Sequence, residues 1–241
     1  MSGTLVVFGA GVGLGSSVAH RFGREGFRVG LVGRRQPRLD EVASGLRAAG
    51  IDCATFTADL AHPGMGPALV WKIAARLGDI DVLHYGPLAG DQQFYAARSL
   101  DIATQQRLLD LFFLTPVALI AEILPGMMAR SEGAILVTQG LTAINPIPGL
   151  SGVGPAMAAT HNYIRSLFGE LADQGVYAGT LTLCAGVRGS EMYQRLHSGN
   201  DVRPSAPSVD PDDIAELLWT MFIRRDQPVM EYPVSDGPAP T

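Results

Sequence analysis

The chain has 241 residues, 47% hydrophobic and 17% charged, with a formal net charge of −5, which fits one globular domain with a sizeable core. That balance leaves no basic stripe to neutralise phosphates, so nucleic acid is excluded as the main partner. No apolar run is expected to reach the length of a membrane span, and the N-terminus runs straight into a strand, so no signal peptide is expected.

Leu5 to Phe8 is an apolar run with two valines, suited to a strand buried on both faces. Glycines follow at positions 9, 11, 13 and 15, then a helix from Ser16 into Phe22. A buried strand, a turn that brings N–H groups close to a ligand, and a helix N-terminus together suit a pyrophosphate. A glycine-rich turn with no ligand is the plainer alternative. The widespread pattern G-x-G-x-x-G/A fails, because it requires a small residue at Leu14 or at Ser16. What fits is G-x-x-x-G-x-G at Gly9, Gly13 and Gly15.

Phe27 to Val32 reads as the second strand, and Gly33-Arg34-Arg35 follows it with no carboxylate. A helix is expected from Pro37 to Ala49, a third strand from Cys53 to Ala58 closing on Asp59-Leu60, and a helix from Gly66 to Leu77. The fourth strand is Asp81 to His84, and Gly90 to Leu100 is a loop with a short helix. A long helix covers Thr104 to Met128, kinked near Pro116 and ended by Pro125-Gly126. Ala134 to Thr138 is the fifth strand, Ala156 to Ala172 a helix, and Val176 to Leu183 the sixth strand. Val187 to Pro211 is polar and proline-rich, a cover or a mobile loop. Asp210 to Arg224 starts with an N-cap and an acidic turn and reads as a helix; Val229 to Val234 is a short last strand. The tail from Ser235 reads as disordered. Cys53 and Cys184 lie far apart, so no disulfide is expected and a reducing cytoplasm is the default. Strands alternating with helices give an α/β, doubly wound, Rossmann-type parallel sheet of about seven strands in one domain, residues 1–234.

The spacing of Gly9, Gly13 and Gly15 resembles the short-chain dehydrogenase/reductase family, although Phe8 stands where that family usually has Thr. The resemblance spans nearly the whole chain, most strongly Gly9–Arg35 and Pro125–Gly186. It implies a nicotinamide dinucleotide on Gly9, Gly11, Gly13, Leu14 and Gly15, with Asp59 and Leu60 at the adenine edge. Gly86 and Pro87 then shape a turn under the cofactor, and Thr138 and Gly186 lie near the nicotinamide. In such folds an acidic residue after the second strand binds the ribose of NAD and an Arg accepts the 2′-phosphate of NADP, so Arg34 and Arg35 point to NADP. A solvated pair of arginines, and an N-cap role for Asp59, are the alternatives.

The chemistry departs from the family. Tyr85-Gly86-Pro87-Leu88 replaces Asn-Asn-Ala-Gly. By register, the structural Asn position holds Phe113, the catalytic Ser position Gly140, the Tyr position Val153 and the Lys position Met157. None of these transfers a proton readily. His161, one turn beyond Met157, and Ser151 are the candidate stand-ins; a packed histidine and a loop serine are the simpler readings. No metal is expected. The resemblance implies an oxidoreductase acting on a small molecule, with a divergent site. The alternatives are a non-redox enzyme (cyclase, dehydratase or isomerase) and a nucleotide sensor without chemistry. An open apolar pocket favours an enzyme; one filled by Phe113, Val153 and Met157 favours the sensor. The helices around 104–128 and 156–172 resemble those through which the family forms dimers and tetramers, and the apolar Phe112, Phe113, Leu119, Ile120, Ile164, Leu167 and Phe168 exceed what one sheet face needs.

Overall fold

The central strand β1, Thr4–Phe8, is buried over its whole length, as an apolar run between two helical layers must be. The structure is a computed structural model and describes residues 3–197 and 207–234. After β1 come α1 (Leu14–Arg24), β2 (Arg28–Gly33), α2 (Gln36–Ala48), β3 (Cys53–Thr57), α3 (Gly66–Leu77) and β4 (Val82–Tyr85). Then follow α4 (Ile102–Leu109), α5 (Thr115–Arg130), β5 (Gly133–Gly140), α6 (Val153–Glu170) and β6 (Val176–Leu183). The chain closes with β7 (Gly186–Val187), α7 (Glu191–His197), β8 (Ser208–Val209), α8 (Pro211–Arg224) and β9 (Val229–Tyr232).

Seven strands form one parallel sheet in the order β3-β2-β1-β4-β5-β6-β9, and β7 pairs with β8 alone. The order reverses between β1 and β4, so a crevice opens at the carboxyl ends of these strands. One face is covered by α1, α2 and α8, the other by α3, α5 and α6. Helix α1 is fixed by an aromatic cluster. Phe22 meets Trp219 edge-on at 5.0 Å and Phe27 at 5.6 Å, while Arg21 lies 4.5 Å over the Trp219 ring and pairs with Glu216 at 2.5 Å. Burying each such ring contributes about 2–3 kcal/mol, and the result holds the glycine turn before α1 in place.

The long helix differs from the expectation. It is broken by a π-helical stretch, Asp110–Leu114, and it passes Pro125 to end at Arg130. Pro116 has no N–H to give the Phe112 carbonyl, and the Thr115 N–H reaches back five residues to Asp110. The carbonyls of Leu111 and Phe112 thereby lose helical partners. The hydroxyls of Tyr85 and Thr160 donate to them instead, so the break is satisfied by tertiary contacts. Beyond Pro125, the fully buried Met127 and the pairing of Arg130 with Asp79 at 3.0 Å carry the helix on.

The membrane expectation also needs correction. Among the described residues, 102–130 is one helical stretch long and apolar enough to cross a membrane by length and composition. Residues 111–128 carry a single charge, Glu122, because prolines and small residues replace the usual charged ones. In this fold Leu119 and Ile120 are fully buried against the sheet. Phe112, Ile164 and Leu167 are likewise buried within the chain, so most of the apolar residues assigned to an inter-subunit face serve its own core. The stretch 187–211 holds the end of β7 and all of α7 and β8; residues 198–206 of it, and the tail from Ser235, lie outside the described residues.

Candidate functional site

A cavity of about 570 Å³ runs along the carboxyl ends of the strands from the glycine turn to Gly140 and Met157, within the range of small-molecule and cofactor sites. At one end Gly9 has φ +96°, and a Cβ there would come within 2.6 Å of the Pro87 backbone. Only glycine fits. Gly15 has Ala10 Cα 2.9 Å from its Cβ position, which lets α1 start directly beneath the turn. Gly11 has open space at that position and faces the cavity. Helix α1 begins at Leu14, two residues earlier than expected, and its N-cap is Gly13, with no side-chain cap. Its first N–H groups and its dipole therefore face the cavity, a site for an anion.

Arg34, Arg35 and Arg38 line the next part of the cavity. Arg34 lies 3.6 Å from Asp91. Arg35 Nη2 donates to both Glu191 oxygens, at 2.6 and 2.7 Å, and Arg38 lies 3.5 Å from the same carboxylate. Asp59 and Leu60 line the adjoining wall, and the Asp59 carboxylate also accepts from the Ala61 N–H at 3.0 Å. Its N-cap-like hydrogen bond therefore leaves Asp59 on the cavity wall. Gly86, Pro87, Thr138 and Gly186 complete the set. All thirteen residues expected to bind cofactor lie around this one cavity.

The other end holds the polar groups nearest Gly140. Thr138 Oγ1 is 3.0 Å from Nε2 of His84, whose side chain is fully buried. Burial lowers the His84 pKa to about 4, so the ring is neutral near pH 7. His84 Nδ1 has no partner among the described residues. A bare ring nitrogen costs less to bury than an orphan N–H, which favours Nε2–H donating to Thr138 and leaves the Thr138 proton free for the cavity. Tyr95, Tyr193, Gln139, Thr104 and Arg107 also line the cavity. Nothing in the linear sequence links Thr138 to His84; β4 and β5 lie side by side with His84 opposite Leu136, which brings Thr138, two residues further on, within reach.

The stand-ins are placed elsewhere. His161 does not line the cavity: its Nδ1 lies 2.7 Å from Gln139 Nε2 and 3.5 Å from Thr180 Oγ1, behind the wall. Burial, and then Arg165, push its pKa down. Ser151 joins Tyr95 through backbone bonds, Ser151 N–H to Tyr95 carbonyl at 2.8 Å, and fixes the 90–100 loop; it too is outside the lining. Helix α6 starts at Val153, which is 1% exposed and packs with Leu108 and Phe112 instead of entering the cavity. Phe113 stacks edge-on against Tyr163 at 6.3 Å. Met157 and Gly140 do line the cavity, and a Cβ on Gly140 would sit 4.0 Å from the Met157 sulfur. One signal in the sequence settles the lysine: the chain has a single lysine, Lys72, exposed on α3. No choice of register supplies a Tyr-x-x-x-Lys pair. Among the described residues no group of three or more metal-ligating side chains forms, and Cys53 and Cys184 are free thiols.

A sequence model of the family described as short chain dehydrogenase matches residues 3–201. The chain belongs to the short-chain dehydrogenase family. A short chain dehydrogenase of Pseudocercospora fijiensis is 25% identical over 185 residues, 74% of this chain, which spans 58% of that protein's length. Among solved structures, actinorhodin polyketide ketoreductase with NADPH superposes with a TM-score of 0.85 at 20% identity, covering 96% of this chain and 95% of the other. A Pseudomonas aeruginosa short chain oxidoreductase described as containing an atypical catalytic center superposes at 0.85 with 19% identity and 98% of both chains. The doubly wound fold is thus that of the family, whose members use a nicotinamide cofactor. The uncapped helix, the close turn at Gly9 and the open approach at Gly11 fit such a dinucleotide.

Proposed function

We propose that this protein is an NADP(H)-binding oxidoreductase of the family, acting on a small molecule through a divergent site. The observation that carries the choice of cofactor is the arginine cluster Arg34, Arg35 and Arg38 at the glycine-turn end of the cavity, with no carboxylate on the end of β2. Guanidiniums match a phosphate dianion in charge and in forked geometry. The cofactor, when bound, supplies a hydride at its nicotinamide ring. The chain contributes the glycine turn and α1 for the pyrophosphate, the arginines for the 2′-phosphate, and the Thr138 hydroxyl, held by His84, as a donor toward a substrate oxygen. Without a Tyr-Lys pair, ordinary ketones and aldehydes are expected to turn over slowly; loss of general acid catalysis alone costs about 10²–10⁴-fold in rate. The cavity supports an enzyme over a sensor, because Phe113 and Val153 pack elsewhere and do not fill it. A cytoplasmic homo-oligomer, dimer or tetramer, completes the reading, with the exposed Leu114 and Met128 on the 102–130 stretch as part of the contact. Calorimetric titration with NADPH and NADH tests the cofactor: NADPH should bind at least tenfold tighter, as charge-assisted hydrogen bonds of about 1.5–3 kcal/mol require, and equal binding removes the argument. NADPH consumption against a carbonyl panel tests the chemistry; family-typical rates would show the site to be complete.

A further inference from the structure

Glu191, the first residue of α7, sits where the arginine cluster would take a phosphate. Arg35 grips both its oxygens at 2.6 and 2.7 Å and Arg38 approaches at 3.5 Å. The Glu191 side chain is half-buried, while Arg35 is 58% exposed, so water screens the pair from the arginine side. The segment carrying it closes across the cavity at three further points. A Cβ on Gly90 would fall 2.5 Å from Glu191 Cβ, Ser190 lies 3.3 Å from the Cβ position of Gly13, and Arg195 Nη2 donates to the Gln92 carbonyl at 2.8 Å. The carboxylate thus imitates an anion in the arginine cluster while its backbone covers the glycine turn.

We infer that Glu191 is a specificity-determining residue: its carboxylate competes with a 2′-phosphate for Arg35 and Arg38, so that binding a 2′-phosphorylated adenosine displaces it and loosens the 186–197 cover. This rests on the arginine cluster being the 2′-phosphate site. A phosphate brings two negative charges and three acceptor oxygens against the carboxylate's one charge and two oxygens. It therefore wins the arginines, but only against a resident competitor. A ligand with a free 2′-hydroxyl does not contest them and leaves the cover latched. Ion pairs of this exposure are weak, so the competition amounts to a several-fold effect and the latch opens readily.

The probes are adenosine 2′,5′-bisphosphate and 5′-AMP, titrated calorimetrically into the wild type, Glu191→Gln and Gly90→Ala, with hydrogen exchange followed in residues 186–197. Glu191→Gln keeps the shape and removes the charge; Gly90→Ala pushes the unaltered carboxylate aside. Both variants are expected to bind the bisphosphate about threefold to tenfold tighter, with 5′-AMP unchanged. In the wild type the bisphosphate, and not 5′-AMP, is expected to speed exchange in 186–197, and Glu191→Gln to show that faster exchange without ligand. If the wild type favours the bisphosphate but Glu191→Gln leaves the ratio of the two affinities unchanged, the competition is refuted and the cofactor reading stands. If the wild type does not distinguish the probes and Glu191→Gln does not make it do so, the cofactor reading fails and the inference falls with it.

Discussion

Two glycines of one turn should fail in different ways. In Gly9→Ala the new methyl has two costs. The residue keeps φ +96°, where an L side chain costs about 1–2 kcal/mol. Its Cβ also lands 2.6 Å from Pro87 Cα and 2.7 Å from Pro87 N. Both are backbone atoms that cannot swing away, so overpacking adds about 1–3 kcal/mol. The sum, about 2–5 kcal/mol, is a large part of the 5–15 kcal/mol that holds a domain. At about 2–4 °C per kcal/mol for a chain of this size, the melting temperature should fall by about 4–20 °C. Gly11→Ala meets nothing within 4 Å. It should leave the melting temperature unchanged or slightly raised, while its methyl blocks the close approach of a pyrophosphate and lowers NADPH affinity. Differential scanning calorimetry without ligand, then titration with NADPH, reads both. A Gly9→Ala variant that melts within 1 °C of the wild type, or a Gly11→Ala variant that loses stability like it, would refute the assignment of one glycine to the fold and the other to the ligand.

Arg35→Ala should weaken NADPH about tenfold and leave NADH unchanged in the same titration; an equal loss for both cofactors would count against a 2′-phosphate at this residue. Tyr85→Phe removes the hydroxyl that satisfies the buried Leu111 carbonyl, and should cost about 1–3 kcal/mol, read as a lower midpoint in chemical denaturation with an unchanged slope. His84 has a folded pKa of about 4 against 6.5 for the free side chain. The unfolded state then binds the extra proton between these values, so stability rises with pH from 4 to 6.5 and is lost on acidification through that window, by about 3 kcal/mol from this group. His84→Gln should flatten that part of the pH profile of unfolding; a profile parallel to the wild type would overturn the assignment. His161→Ala should lower stability through Gln139 without changing any NADPH-dependent rate, and a lost rate would return His161 to the list of catalytic residues.

Local pattern determined a great deal here. Buried strands announce themselves as apolar runs, and glycines at 9, 13 and 15 have few uses besides a tight turn, so the seven sheet strands, the α/β class and the gathering of thirteen named residues around one cavity were legible, whereas β7, α7 and β8 were not. A single lysine, placed on α3, was enough to rule out the usual Tyr-Lys pair. What the linear pattern did not hold is anything that depends on two distant segments meeting. Helical period placed His161 near Met157, but the crossing of α6 over the sheet turns it onto Gln139 and Thr180. Pro116 signalled a kink; that it becomes a π turn depends on Tyr85 and Thr160 reaching the freed carbonyls from other elements. Thr138 meets His84 because β5 lies beside β4, and Arg35 meets Glu191 across 156 residues of chain. Backbone conformation follows from neighbours in sequence, whereas the partners of a side chain are chosen by packing, and only the tertiary structure brings them within reach.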